Sequence, residues 1–151
     1  MQKSPVKPRP LFVAVPLAAL TGLAACAHAA APRAPAGFAL SRAAAVELCL
    51  PPGEVAWLKA LRCPDGQSPR VERKGTIGPR TEVGPLDGER ALLQMDPGRP
   101  LERGEPDLHV IDAVEAGCGA RTTALYLDMY HCAQPPPRVA PAGFGFESPG
   151  D

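Results

Sequence analysis

Four cysteines within residues 38–133, Cys49, Cys63, Cys118 and Cys132, set the tightest limit on how this chain folds. A domain of that size buries a modest core, so two bridges worth roughly 2–4 kcal/mol each would carry much of its stability. An even number of cysteines in a small exported chain reads as a disulfide framework. A four-thiolate metal site is not expected, because no pair shows the close Cys-x₂₋₄-Cys spacing of structural zinc. The pairing is less constrained. Both sequence-adjacent pairs are 14 residues apart, which invites Cys49–Cys63 and Cys118–Cys132. However, Thr122 to His131 reads as one strand, and ten residues at ~3.3 Å rise would hold its ends some 30 Å apart. A bridge needs Cα atoms within about 7 Å. A weaker form of the same problem affects Cys49–Cys63. The reading leans to bridges joining the N-terminal helical part to the C-terminal strands, with the other connectivities left open.

Export is read from the chain start. Met1 to Pro10 carries Lys3, Lys7 and Arg9 without an acid, and Leu11 to Ala25 carries no charge. A basic segment, a short apolar segment and a small-residue cleavage zone make a signal peptide. The apolar run falls short of the about 20 residues a spanning helix needs. Leu23-Ala24-Ala25-Cys26 resembles the lipobox of bacterial lipoproteins at all four positions. The resemblance covers residues 1–26 only. It implies a diacylglycerol thioether on Cys26, cleavage before that residue, and acylation of the freed amine. Two or three acyl chains make a firm anchor, each buried CH₂ adding about 0.8 kcal/mol. Ala27 stands where an Asp would signal inner-membrane retention, so the expected address is the outer membrane, facing the periplasm. The alternative is ordinary secretion, with cleavage after Ala27-His28-Ala29.

Four segments follow: a signal peptide over residues 1–25, a lipidated flexible tether over 26–37, a small domain over 38–133, and a Pro/Gly-rich tail over 134–151. Loss of the signal removes three of 16 basic residues and none of 16 acids, leaving a net charge of −3. Such a surface gives no reason to expect a nucleic-acid partner. Both ends look unfolded by composition. Phe144 and Phe146 are the exceptions in the tail, read as docking on the domain or as a partner-binding stub.

The local patterns predict an α+β fold, with two short N-terminal helices packed on a small antiparallel sheet. Ser41 is placed to cap a helix over Arg42 to Leu48, stopped by Pro51-Pro52. A second helix is expected over Gly53 to Arg62, where Val55, Leu58 and Leu61 recur at helical spacing. Arg70 to Ile77 reads as a charged edge strand, with Gly75 and Gly78 inviting bulges. Arg90 to Met95 is compatible with strand or helix. Leu108 to Val114 and Thr122 to His131 read as strands, with a turn around Gly117 and Gly119.

No catalytic constellation is recognisable, and no cofactor or metal site is expected. Strict alternation along the last strand would put Leu125, Leu127, Met129 and His131 on a core face, opposite Tyr126, Asp128 and Tyr130. Tyr126, Asp128 and Tyr130 form a possible binding patch. Asp128 and His131 make a poor acid–base pair, because alternation sends them to opposite faces. His109 and Asp107 share a face and give a weak proton-relay or metal reading. The favoured function is a non-catalytic envelope lipoprotein, held to the membrane by lipid, that binds a protein or cell-wall partner. The alternative is a small periplasmic hydrolase or ligand-binding protein with a site near Asp128, Tyr130 and His109.

Overall fold

The computed structural model describes residues 34–85 and 88–147. The signal peptide, Cys26 and most of the tether lie outside the described residues. In chain order the elements are β1 (Val46–Glu47), α1 (Leu50–Ala60), β2 (Leu61–Arg62), β3 (Arg70–Pro79), α2 (Gly88–Gln94), β4 (Val110–Cys118), β5 (Arg121–Asp128) and β6 (Gly145–Phe146). A four-stranded sheet runs β1-β5-β4-β3, and β2 pairs with β6 in a two-stranded sheet. The fold is α+β, but its main sheet is mixed. β1 lies parallel to β5, whereas β5, β4 and β3 are antiparallel neighbours.

The expected helix over Arg42 to Leu48 does not form. Ser41 caps a tight turn instead, its Oγ and carbonyl both accepting from the Ala44 N–H. Val46 and Glu47 then join the edge of β5. Seven residues cannot offset helix nucleation unaided, while strand pairing satisfies the same backbone groups and buries Val46 and Leu48 fully. Pro51-Pro52 does not stop a helix; it opens α1, where the missing N–H groups would have no intrahelical partner. The helix ends at Ala60 rather than Arg62, because Leu61 and Arg62 pair with Phe146 and Gly145. Arg90 to Met95 resolves mostly as helix, within α2. β3 is the charged edge strand expected. Its register slips between Arg73 and Gly75 and between Thr76 and Pro79, and Gly75 and Gly78 both adopt φ near 107°, a region that favours glycine.

Register decides which side chains meet. Val114 lies opposite Leu125, and Asp112 opposite Leu127, on one face; Ile111 lies opposite Asp128 on the other. The first face carries the core, where Trp57 of α1 packs with Val46, Leu48, Val114, Leu125 and Leu127. Asp112 is the charged member of this face, held by Arg73 and by the Thr76 hydroxyl at 2.8 Å. The tail is folded where described, not free. Pro141 is buried, Phe144 and Phe146 pack on the core, and the Phe146 ring lies 6.3 Å from Trp57.

The disulfides are Cys49–Cys132 and Cys63–Cys118, with Cα separations of 4.6 and 5.6 Å. Both join the N-terminal half to the C-terminal strands, as the geometry of a single long strand favoured. They clamp different places: Cys118 closes the far end of β4, while Cys132 lies four residues beyond the end of β5.

Candidate metal centre

The end of β5 and the approach to β4 bring four chemically active side chains together. Asp128 is the last residue of β5 and points away from the main core, being paired with Ile111. His109 immediately precedes β4. Its carbonyl accepts from the Arg80 N–H and that of Asp107 from Thr81, at 2.9 and 2.8 Å, so the turn after β3 anchors this stretch. Beyond Asp128 the chain leaves the sheet. The Asp128 Oδ1 accepts from the Tyr130 N–H at 2.9 Å, a local bond that breaks the alternation and swings His131 back over the strand end.

The expectation that Asp128 and His131 face opposite ways is therefore wrong: His131 Nε2 lies 3.4 Å from Asp128 Oδ2. It is also 3.0 Å from Asp107 Oδ2 and 3.0 Å from His109 Nδ1. His109 Nδ1 lies 2.9 Å from Asp107 Oδ1 and 3.9 Å from Asp128 Oδ2. One ligand atom from each of Asp107, His109, Asp128 and His131 falls within 4.8 Å of all the others. His109 and Asp128 are buried, while His131 keeps 21% of its side-chain surface.

Surrounding groups orient these four. His109 Nε2 donates to the carbonyl of Gln94 at 2.7 Å. A carbonyl only accepts, so Nε2 carries a proton in this bond, and Nδ1 faces the cluster. Buried Gln94 is itself fixed, its amide donating to Pro106 and accepting from the Leu108 N–H. The Tyr130 ring stacks on His109, centroids 5.6 Å apart. Arg80 spans both acids, with Nη2 2.8 Å from Asp128 Oδ2 and Nε 3.0 Å from Asp107 Oδ2.

Charge follows from this packing. Burial pushes both carboxyl groups up. For Asp107 the hydrogen bonds from His109 and His131 outweigh it, and for Asp128 those from His131, the Tyr130 N–H and Arg80 do. Both acids are held below the usual carboxylate range. Hydrogen bonds to Asp107 and then Asp128 push His131 up to about 10. The linkage signs are opposite. The raised His131 pKa stabilises fully below its ordinary value of 6.5 and ceases to do so as pH rises through about 10. The lowered acids stabilise above their ordinary 3.8 and cease as pH falls. In chelator-treated protein the difference in Tm between wild type and His131→Asn should thus shrink steadily from pH 6.5 to 10. A difference that stays constant across that range would show that His131 is not coupled to the two acids.

The sequence draws attention to Asp107 and His109, but strand alternation separates Asp128 from His131, and nothing local gives Arg80 or Gln94 a role in this site. The spaced pairs Asp107-x-His109 and Asp128-x-x-His131 were the available signal. Tyr126, Asp128 and Tyr130 do not make an exposed patch: Asp128 is fully buried and both tyrosines are half-buried. The outer side of His131 opens on two clefts. One, of about 380 Å³, also has Glu47, Phe38, Ala44 and Pro137 in its wall. The other, of about 350 Å³, is lined by Arg99, Tyr130 and Pro97 among others.

No protein-family model matches this chain, and neither a curated protein nor a solved structure matches it. The chemistry of these side chains is what bears on function.

Proposed function

We propose that this chain is an exported protein, anchored by lipid at Cys26, whose folded domain holds one divalent transition-metal ion between Asp107, His109, Asp128 and His131. One observation carries the metal reading: with its Nε2 proton committed to Gln94, His109 presents Nδ1 to a carboxylate oxygen of Asp107, one of Asp128 and Nε2 of His131, the four ligand atoms lying within 4.8 Å of one another. Bonds of about 2.0–2.1 Å from a tetrahedral ion place its ligands about 3.3–3.4 Å apart. The two nitrogens lie 3.0 Å apart and 3.9 and 3.4 Å from Asp128 Oδ2, while Asp107 meets His109 through Oδ1 at 2.9 Å and His131 through Oδ2 at 3.0 Å, so an ion would draw one of its oxygens into a shared shell.

The donor set supports a class of ion. Two imidazoles with two carboxylates suit Zn²⁺ and its neighbours; Ca²⁺ and Mg²⁺ favour six or more oxygens. Gln94 behind His109 is an outer hydrogen bond of the kind that orients a metal ligand, while Arg80 contacts Oδ2 of both acids. Four protein ligands fill a tetrahedral shell, the pattern of structural sites, whereas catalytic sites keep a position open. This favours holding or carrying a metal over catalysis.

Full-length protein extracted in detergent, disulfides intact, should bind one Zn²⁺ per chain in an equilibrium titration and give four-coordinate visible bands with Co²⁺. A metal-free, charge-balanced ion cluster is the competing reading, favoured by Arg80. It would show as no stoichiometric uptake of either ion. The anchor is tested separately. Cys26→Ser should accumulate as precursor or appear as soluble protein; a variant that matures normally and still partitions into detergent would refute lipidation there.

A further inference from the structure

His131 lies three residues beyond the end of β5, and both of its chain neighbours are fastened to Cys49. Tyr130 pairs with Cys49 in an isolated β-bridge, and Cys132 is bonded to Cys49 through sulfur. The Leu50 N–H adds a bond to the Met129 carbonyl at 2.8 Å. The other ligands have different supports. Asp128 belongs to β5, and Asp107 and His109 are held by backbone bonds to Thr81 and Arg80. Cys63–Cys118 ties the opposite end of β4, eight residues from Val110.

Resting on the metal reading above, we propose that the Cys49–Cys132 disulfide is a positioning element for His131, so that the site reaches full affinity only when this bridge is formed. Without it, residues 129–132 are left with the Cys49–Tyr130 bridge and the local bond from the Tyr130 N–H to Asp128. Ion binding must then also order the segment that carries His131, and a ligand that has to be ordered on binding lowers affinity. The consequence is a built-in order of events: the chain reaches full affinity for its ion only after oxidation, in an oxidising compartment.

The experiment uses the full chain, with Zn²⁺ alone as probe and affinity read by competition against a chromophoric chelator. Wild-type binding tests the metal reading itself; without it, that reading fails whatever the variants do. Given binding, Cys49→Ser/Cys132→Ser should weaken affinity tenfold or more, and Cys63→Ser/Cys118→Ser less than threefold. Added to His131→Ala, the Cys49/Cys132 pair should bring no further loss, because the bridge acts through that ligand. Equal losses from the two bridges, or full additivity with His131→Ala, would overturn the proposal. If the Ser variant fails to fold, wild type answers the same question during reduction by a water-soluble phosphine. The phosphine gives two electrons to the disulfide, which takes up two protons, and becomes the oxide with oxygen from water. Zn²⁺ should slow opening of Cys49–Cys132, mapped by alkylation, and leave Cys63–Cys118 unchanged. Equal rates with and without Zn²⁺ at Cys49–Cys132 would overturn it as well.

Discussion

His131→Ala should lower Zn²⁺ affinity by more than 100-fold while leaving both disulfides and the sheet in place. The size follows from the ligand's place in the shell. Losing an outer hydrogen-bond partner of a metal ligand typically lowers affinity 10–100-fold, and losing the ligand itself removes a bond to the ion outright. Tolerance of the fold follows from where His131 sits. It lies past the end of β5, retains 21% of its side-chain surface, and takes no part in the apolar core around Trp57. His109→Ala is the contrasting case. That ring is 1% exposed, stacked on Tyr130 and bonded to Gln94, so its loss should reduce both affinity and Tm. Chelator competition gives the affinity, and thermal unfolding in chelator gives the separation of the two effects. If His131→Ala keeps its affinity within threefold of wild type, His131 is not a ligand and the four-residue centre is wrong.

How much of this was readable in the chain can be traced residue by residue. The α+β class, the charged edge strand with bulges at Gly75 and Gly78, and an even set of bridged cysteines were legible, because each rests on local chemistry or on counting. The helix expected over residues 42–48 does not form. Its local signals were sound, but pairing of Val46 and Glu47 with β5 is a long-range interaction that propensity does not see. The docked tail was half-read: Phe144 and Phe146 were recognisable as misfits in a polar segment, while β6 needs Leu61 and Arg62 as partners 80 or more residues away. The site failed for one reason. Strict alternation through Met129 to His131 ignores that an Asp two residues before a backbone N–H can accept from it and end the strand. The bond from Tyr130 to Asp128 does this, and reverses the direction of His131. Arg80 was invisible as a site residue, since the carboxylates it spans lie 27 and 48 residues further along the chain.

Asp128→Ala should destabilise the chelator-treated protein by about 3–5 kcal/mol, the usual effect of breaking a buried ion pair by removing one partner. Asp128 is fully buried, and its two oxygens serve different groups. Oδ1 accepts from the Tyr130 N–H, and Oδ2 faces Arg80 and His131. Without the carboxylate, Arg80 keeps Asp107 at 3.0 Å and Glu47 at 3.8 Å, but the raised pKa of His131 loses one of its two hydrogen-bonded supports. Total stability of a small domain is of order 5–15 kcal/mol, so a loss of this size should be plain in the denaturation midpoint. Replacing both partners, Asp128→Leu with Arg80→Met, should recover a substantial part of the loss, because no unpaired charge is then left near the strand end. The double variant should nevertheless bind no Zn²⁺, which separates what the cluster does for the fold from what it does for a metal. A drop below 1 kcal/mol for Asp128→Ala, with unchanged slope in denaturant, would mean that water reaches the carboxylate and that the cluster is not the buried charge network described above.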